Sequence, residues 1–222
     1  MSGYQLVDTA HVPGGAELRL IRKGDEFAIV LEQHELMSTD IVASEEALAT
    51  MTCERLDRPA AQMLIGGYGM GFTLRAALAA LGAQAEVVVA EIAPAIIAWA
   101  RGAMHQITAG CLDDARVTLV NDDVGLLIHS AVDGYDAILL DVDNGPEGLT
   151  RRRNDTLYSP AGLAAARMAL RPGGILAIWS ASGEPAFTRR LERAGFEVSE
   201  VGVQARKSGE GGLHHIWFAR NR

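Results

Sequence analysis

Acidic residues and glycines carry the chemistry of this sequence. The stretch Gly67-Tyr68-Gly69-Met70-Gly71 follows the apolar run Met63-Leu64-Ile65 and leads straight into a helical pattern, Phe72 to Leu78. Glycine permits positive φ and lets a ligand approach bare backbone. A helix N-terminus behind such a turn offers free N–H groups and the positive end of the helix dipole. Glu91 closes the β-branched run AEVVVAE, about twenty residues further on, where an acid that binds ribose hydroxyls is expected. Asp122 and Asp123 end the run RVTLVND, and Asp141 and Asp143 end YDAILLDVDN. In an open α/β sheet, ligands bind outside the carboxyl ends of the strands. The loop and all five acids therefore fall on one edge.

The elements that position them alternate. Residues 16 to 32 read as a β-hairpin around a Gly24-Asp25 turn. Ser44 then caps a helix from about Ser44 to Leu56, with Glu45 and Glu46 in its first turn. From Met63 onward strands and helices follow one another, which implies a parallel sheet. Pro94 and Pro160 open helices, Arg171-Pro172-Gly173-Gly174 stops one, and Gly195 closes the next. FEVSEVGVQAR and LHHIWFAR flank the Gly-rich SGEGG loop and form a terminal hairpin whose last strand runs antiparallel. The expected class is α/β, Rossmann-like, with a β-hairpin appendage at 1–43 and a nucleoside-binding domain at 44–222.

Composition narrows the function. The 222 residues are 49% hydrophobic and 22% charged, ordinary for a soluble globular chain. A net charge of -8 opposes a general electrostatic hold on nucleic acid. The N-terminus has no basic and apolar leader pattern, and no run is long and apolar enough for a membrane span. A cytoplasmic protein with neither nucleic-acid nor membrane partners is expected. Cys53 and Cys111 lack C-x-x-C spacing and read as reduced thiols. Lys23 and Lys207 are the only lysines, and the arginine and alanine bias hints at a GC-rich bacterial genome. His214 and His215 fall on alternate faces of a strand, so they do not share a metal, and no metal is expected. His34, His105 and His129 form no recognisable triad. Trp99, Trp179 and Trp217 read as packing residues.

The spacing of the loop sharpens this. A G-x-G-x-x-G dinucleotide fingerprint counted from Gly67 would need glycine at Phe72, but the third glycine comes one residue early. G-x-G-x-G resembles the nucleoside loop of class I S-adenosylmethionine-dependent transferases and disfavours a nicotinamide dehydrogenase. In such a site Glu91 accepts the ribose hydroxyls and Asp122 accepts from the adenine amine. The Asp123 backbone N–H donates to a ring nitrogen, while Asp141 takes a proton from the nucleophile or steadies the sulfonium.

Over most of its length the chain resembles the spermidine synthase family. ELMSTDIVASEEALA, the glycine loop, Glu91, the Asp122-Asp123 pair, YDAILLD and LYSPAGLAAARMALRPGGILA fall in family order. The resemblance implies Gly67, Gly69, Gly71, Glu91, Asp122 and Asp123 as cofactor-binding residues. It implies Asp141 as catalytic base, with Asp143 and Tyr158 beside it, and S-adenosylmethionine or its decarboxylated form as cofactor. A homodimer is the family habit. The departures matter equally. Met70 stands where the family loop carries an aspartate that grips the aminopropyl amine. Asp141-Val142-Asp143-Asn144-Gly145-Pro146 replaces the D-S-S-D-P loop, the Tyr-His pair after the hairpin is missing, and Arg151, Arg152 and Arg153 follow the loop. A thioether cannot neutralise an ammonium, and three arginines repel a diamine. Methyl transfer to a small-molecule acceptor is thus favoured narrowly over aminopropyl transfer. A polyamine aminopropyltransferase and a non-catalytic nucleoside-binding protein remain the alternatives.

Overall fold

The computed structural model describes residues 3–12, 15–142, 156–209 and 211–222. Asp143 and the arginine triplet, Arg151 to Arg153, lie outside the described residues. Two sheets build the molecule. The first is four-stranded, in the order β1 (Gln5–His11), β2 (Glu17–Lys23), β3 (Glu26–Leu31), β4 (His34–Ser38). The expected hairpin is β2–β3, with Lys23 opposite Glu26 and the turn at Gly24 and Asp25. The appendage is larger than a hairpin, because β1 and β4 add to its edges. Its face of Leu18, Leu20, Phe27, Ile29 and Leu31 joins the main core, as period-2 alternation requires.

The helix α1 (Ala43–Leu56) leads to the seven-stranded sheet, whose order is β10-β11-β9-β8-β5-β6-β7. In chain order these are β5 (Gln62–Gly66), α2 (Phe72–Ala80), β6 (Glu86–Ala90), α3 (Pro94–Arg101), α4 (His105–Thr108), β7 (Val117–Val120), α5 (Val124–Ser130) and β8 (Tyr135–Leu140). After them come α6 (Pro160–Ala169), β9 (Leu170–Ser180), α7 (Pro185–Arg193), β10 (Phe196–Gln204) and β11 (Leu213–Asn221). Strands β5 to β9 pair in parallel, and β11 is antiparallel to both β9 and β10. The expected sheet therefore forms, with its order switching direction at β5. Helices on both faces explain why β5 and β8 read as unbroken apolar runs. One core packs the first sheet, α1, α2 and α3 against one face. The other sets Leu163, Phe187 and Leu191 of α6 and α7 against Leu64, Ile138 and Trp217.

One local expectation changes. Ser44 does not cap α1: Val42 is its N-cap residue, without a side-chain cap bond, and Ser44 is fully buried. The Arg171-Pro172-Gly173-Gly174 stop does follow the end of α6, and it forms the opening of a strand. β9 starts at Leu170, directly after α6, and its register with β8 shifts between Tyr135 and Ala137.

At that irregularity sits a charged staple. Asp136 is buried and accepts from Arg58 at 2.6 Å, from Arg171 at 2.8 Å and from the Gln62 backbone N–H at 2.8 Å. Burial raises its proton affinity, but the Gln62 and Arg58 hydrogen bonds and the Arg171 charge outweigh it, so its pKa is lowered. A carboxyl with a depressed folded pKa contributes stability above its unfolded pKa of about 3.9 and loses it as pH falls through the folded value. Asp136→Asn should cost about 1–3 kcal/mol at pH 7 in urea unfolding, since both arginines keep access to water while Gln62 loses a charged acceptor. The deficit should shrink below about pH 4. A variant as stable as wild type at pH 7 would remove the staple from the account.

Candidate active site

The ladder of the sheet runs one residue past the strand ends and sets the site residues side by side. The Gly67 N–H donates to the Ala90 carbonyl at 2.9 Å, and the Asp141 N–H donates to the Gly66 carbonyl at 2.9 Å. Gly67 takes φ +86°, and a Cβ there would lie 2.2 Å from the Asp141 carbonyl oxygen. No other residue type fits that position. Gly71 takes φ +79° as N-cap residue of α2 and lies under the Tyr68 hydroxyl rather than on the cavity.

Around this edge opens a cavity of about 310 Å³. Gly67, Gly69, Glu91, Asp122, Asp123 and Asp141 all line it, so six of the nine residues expected from sequence come together. Leu18, Leu31, Leu36 and Met37 of the first sheet form its other wall. The appendage thus completes the site, a role its sequence did not disclose. Trp99, by contrast, anchors the two parts to each other: its indole N–H donates to Asp8 of β1 at 2.7 Å.

Glu91 is 5% exposed, with its carboxylate accepting from the backbone N–H groups of Tyr68 at 3.0 Å and Ala93 at 2.8 Å. Burial raises its pKa, and these donors with the Gly69 and Ile92 amides pull it back. The same carboxylate thereby braces the glycine loop. Asp123 caps α5 by accepting from the Gly125 N–H at 2.8 Å. Its own N–H, expected to face a ring nitrogen, donates instead to the Asp122 carboxylate at 2.8 Å.

Asp141 accepts from the Thr73 hydroxyl at 2.7 Å. Its pKa is pushed up to about 6 by burial, which outweighs the Thr73 hydrogen bond. Glu45, from the first turn of α1, lines the same cavity. Burial, then the charges of Asp141 and Glu46, drive its pKa well above the carboxylate range. These are two partly buried carboxyls on one cavity.

Tyr158 is not brought to the cavity. It is buried in the opposite core, edge-on to Phe187 with ring centroids 5.6 Å apart. Met70 also turns away and is fully buried in the main core.

Sequence reasoning missed Thr73, Glu45 and a polar relay on the far wall. Trp179 and His214 line the cavity, and both touch Ser44. The indole N–H only donates, so Ser44 Oγ accepts it at 3.0 Å, and the same oxygen lies 2.8 Å from His214 Nδ1 in a hydrogen bond. Burial, then the neighbouring His215, lowers the His214 pKa. His215 points to the other face and pairs with Glu200 at 2.8 Å, as strand alternation requires.

Above the unfolded pKa of about 3.9, a carboxyl whose folded pKa is raised costs stability that grows as pH rises to the folded value. Asp141→Asn should therefore raise the Tm at pH 8, leave it nearly unchanged at pH 4, and lower any turnover by 10²–10⁴-fold. Wild-type turnover should fall as pH drops through about 6. An unchanged rate in the variant would remove Asp141 from the chemistry.

A family model described as spermine/spermidine synthase domain matches residues 42–192. A polyamine aminopropyltransferase of Mycobacterium tuberculosis is 28% identical over 207 residues, which cover 89% of this chain and 38% of that protein. Polyamine aminopropyltransferase 1 of Streptomyces coelicolor is 29% identical over 168 residues, covering 71% of this chain and 30% of its own. The chain therefore spans well under half the length of these curated relatives. Among solved structures, spermidine synthase from Thermotoga maritima superposes with a TM-score of 0.75 at 18% identity, covering 98% of this chain and 73% of that one. A probable spermidine synthase from Corynebacterium glutamicum gives 0.67 at 13% identity, with 98% and 80% covered. At such identities the likeness shows the fold.

Proposed function

Because the chain belongs to the spermine/spermidine synthase domain family, we propose that it transfers an aminopropyl group from decarboxylated S-adenosylmethionine to a small amine. The observation that carries this reading is the charge of the cavity. Its ionisable lining among the described residues is Glu35, Glu45, Glu91, Asp122, Asp123 and Asp141, with His214 held neutral against them. Such a wall favours cations and rejects the additional carboxylate of S-adenosylmethionine.

This revises the narrow preference for methyl transfer. That preference rested on Met70, which is buried and does not line the cavity, and on arginines outside the described residues. The names of the curated relatives support aminopropyl transfer as well.

The residues suit an adenosyl group. Gly67 presents backbone where no side chain fits, and Glu91 sits buried at the cavity edge as an acceptor for paired hydroxyls. Asp122 offers its remaining carboxylate oxygen to an exocyclic amine. When bound, the donor would supply an alkyl carbon on a sulfonium; the C–S bond breaks toward sulfur and a neutral thioether leaves without acid help. Asp141 has one task, to take the proton that the acceptor nitrogen must lose before its lone pair is free. A pKa near 6 lets it accept that proton and return it to solvent close to neutral pH. Thr73 holds its second oxygen and fixes its direction.

Incubation with decarboxylated S-adenosylmethionine and a linear diamine, read by mass spectrometry, tests the reading. The expected product is the diamine extended by one aminopropyl unit, with no methylated product when S-adenosylmethionine replaces the donor. Methylated diamine would restore methyl transfer. Tight donor binding with no product would favour a protein that binds the nucleoside without turnover.

A further inference from the structure

The cavity's carboxylates are not equally available. Glu91 is held by backbone N–H groups, Asp122 by the Asp123 N–H, Asp123 by the Gly125 N–H and Asp141 by the Thr73 hydroxyl. Glu35 stands exposed at the rim. Glu45 differs from all of them. It lies on the inward face of α1, where Leu48, Ala49 and Thr52 are buried, and among the described residues its carboxylate makes no hydrogen bond and no ion pair. Its neighbour Glu46 turns outward to Lys207, 2.8 Å away. The helix turns Glu45 to the cavity and Glu46 to a surface lysine.

The glycine loop adds no charge of its own, since the side chains of Tyr68 and Met70 are both buried. An ammonium taken into this partly apolar space needs a standing anion. Asp141 cannot be that anion and also take a proton during the reaction. The charge on the transferred chain persists from start to finish, whereas the acceptor nitrogen loses its own.

We propose that Glu45 is the carboxylate that receives the ammonium end of the transferred aminopropyl group. The assignment rests on the aminopropyl reading above and adds the residue that selects for it. Glu45 sits in the first turn of α1, where the helix dipole favours its anion, and the incoming cation supplies the rest. The like charge of Asp141 close by makes the pair costly while the cavity holds only water and favourable once a cation enters.

The test compares two ligands on two proteins by calorimetry. One ligand is decarboxylated S-adenosylmethionine, and the other is the same sulfonium carrying a plain propyl chain without the amine. Wild type should bind the amine-bearing ligand at least tenfold more tightly. Glu45→Gln should bind the two within twofold of each other, with its affinity for the propyl ligand unchanged, which also shows that the variant is folded. A variant that keeps the wild-type preference would overturn the assignment and leave the adenosyl reading standing. Equal affinity of wild type for both ligands would do the same. Binding of neither ligand to wild type would overturn the adenosyl reading, and this assignment with it.

Discussion

The close approach of the glycine loop to the end of β8 is the constraint on which the site depends. A bare Cα at position 67 lets the Asp141 backbone come within a distance that any side chain would forbid. Once that contact is made, the following turn delivers Thr73 to the Asp141 carboxylate and presents the Tyr68 amide to Glu91. The loop, Glu91 and the candidate base are therefore one mechanical unit. Its parts come from three adjacent parallel strands, whose order reverses there as ligand sites of open α/β sheets require.

Electrostatics then sets what the unit can hold. Carboxylates are brought to one edge and partly withdrawn from water, at a cost visible in the raised proton affinities of Glu45, Glu91 and Asp141. Backbone amides relieve the cost at Glu91, but little relieves it at Glu45. A protein stores such strain where function uses it. The opposite wall adds no cation among the described residues: Leu18, Leu31, Met37 and the exposed Glu35 come from the first sheet, beside His214 with its lowered pKa. The field inside the cavity thus has one sign.

What the sequence disclosed was local, and what it hid was long-range. The glycine loop, Glu91 and the acids after β7 and β8 stand at strand ends that alternation and apolar runs mark clearly. Glu45 and Ser44 read as helix-start residues because that is what such residues do near an N-terminus; their contacts to Asp141, Trp179 and His214 join residues far apart in the chain. The same holds for the first sheet, whose hairpin was legible but whose role as a cavity wall was not. Tyr158 was placed by resemblance, and its burial beside Phe187 depends on how α6 and α7 pack, which no local pattern states. Met70 misled for a related reason: its position in the loop said nothing about where its side chain points.

The central claim is that the cavity selects a cation without an accompanying carboxylate. Titration calorimetry with decarboxylated S-adenosylmethionine and with S-adenosylmethionine tests it most directly, since the two differ by that one group. The account predicts at least a tenfold preference for the decarboxylated form, about 1.4 kcal/mol. Equal or tighter binding of S-adenosylmethionine would contradict it.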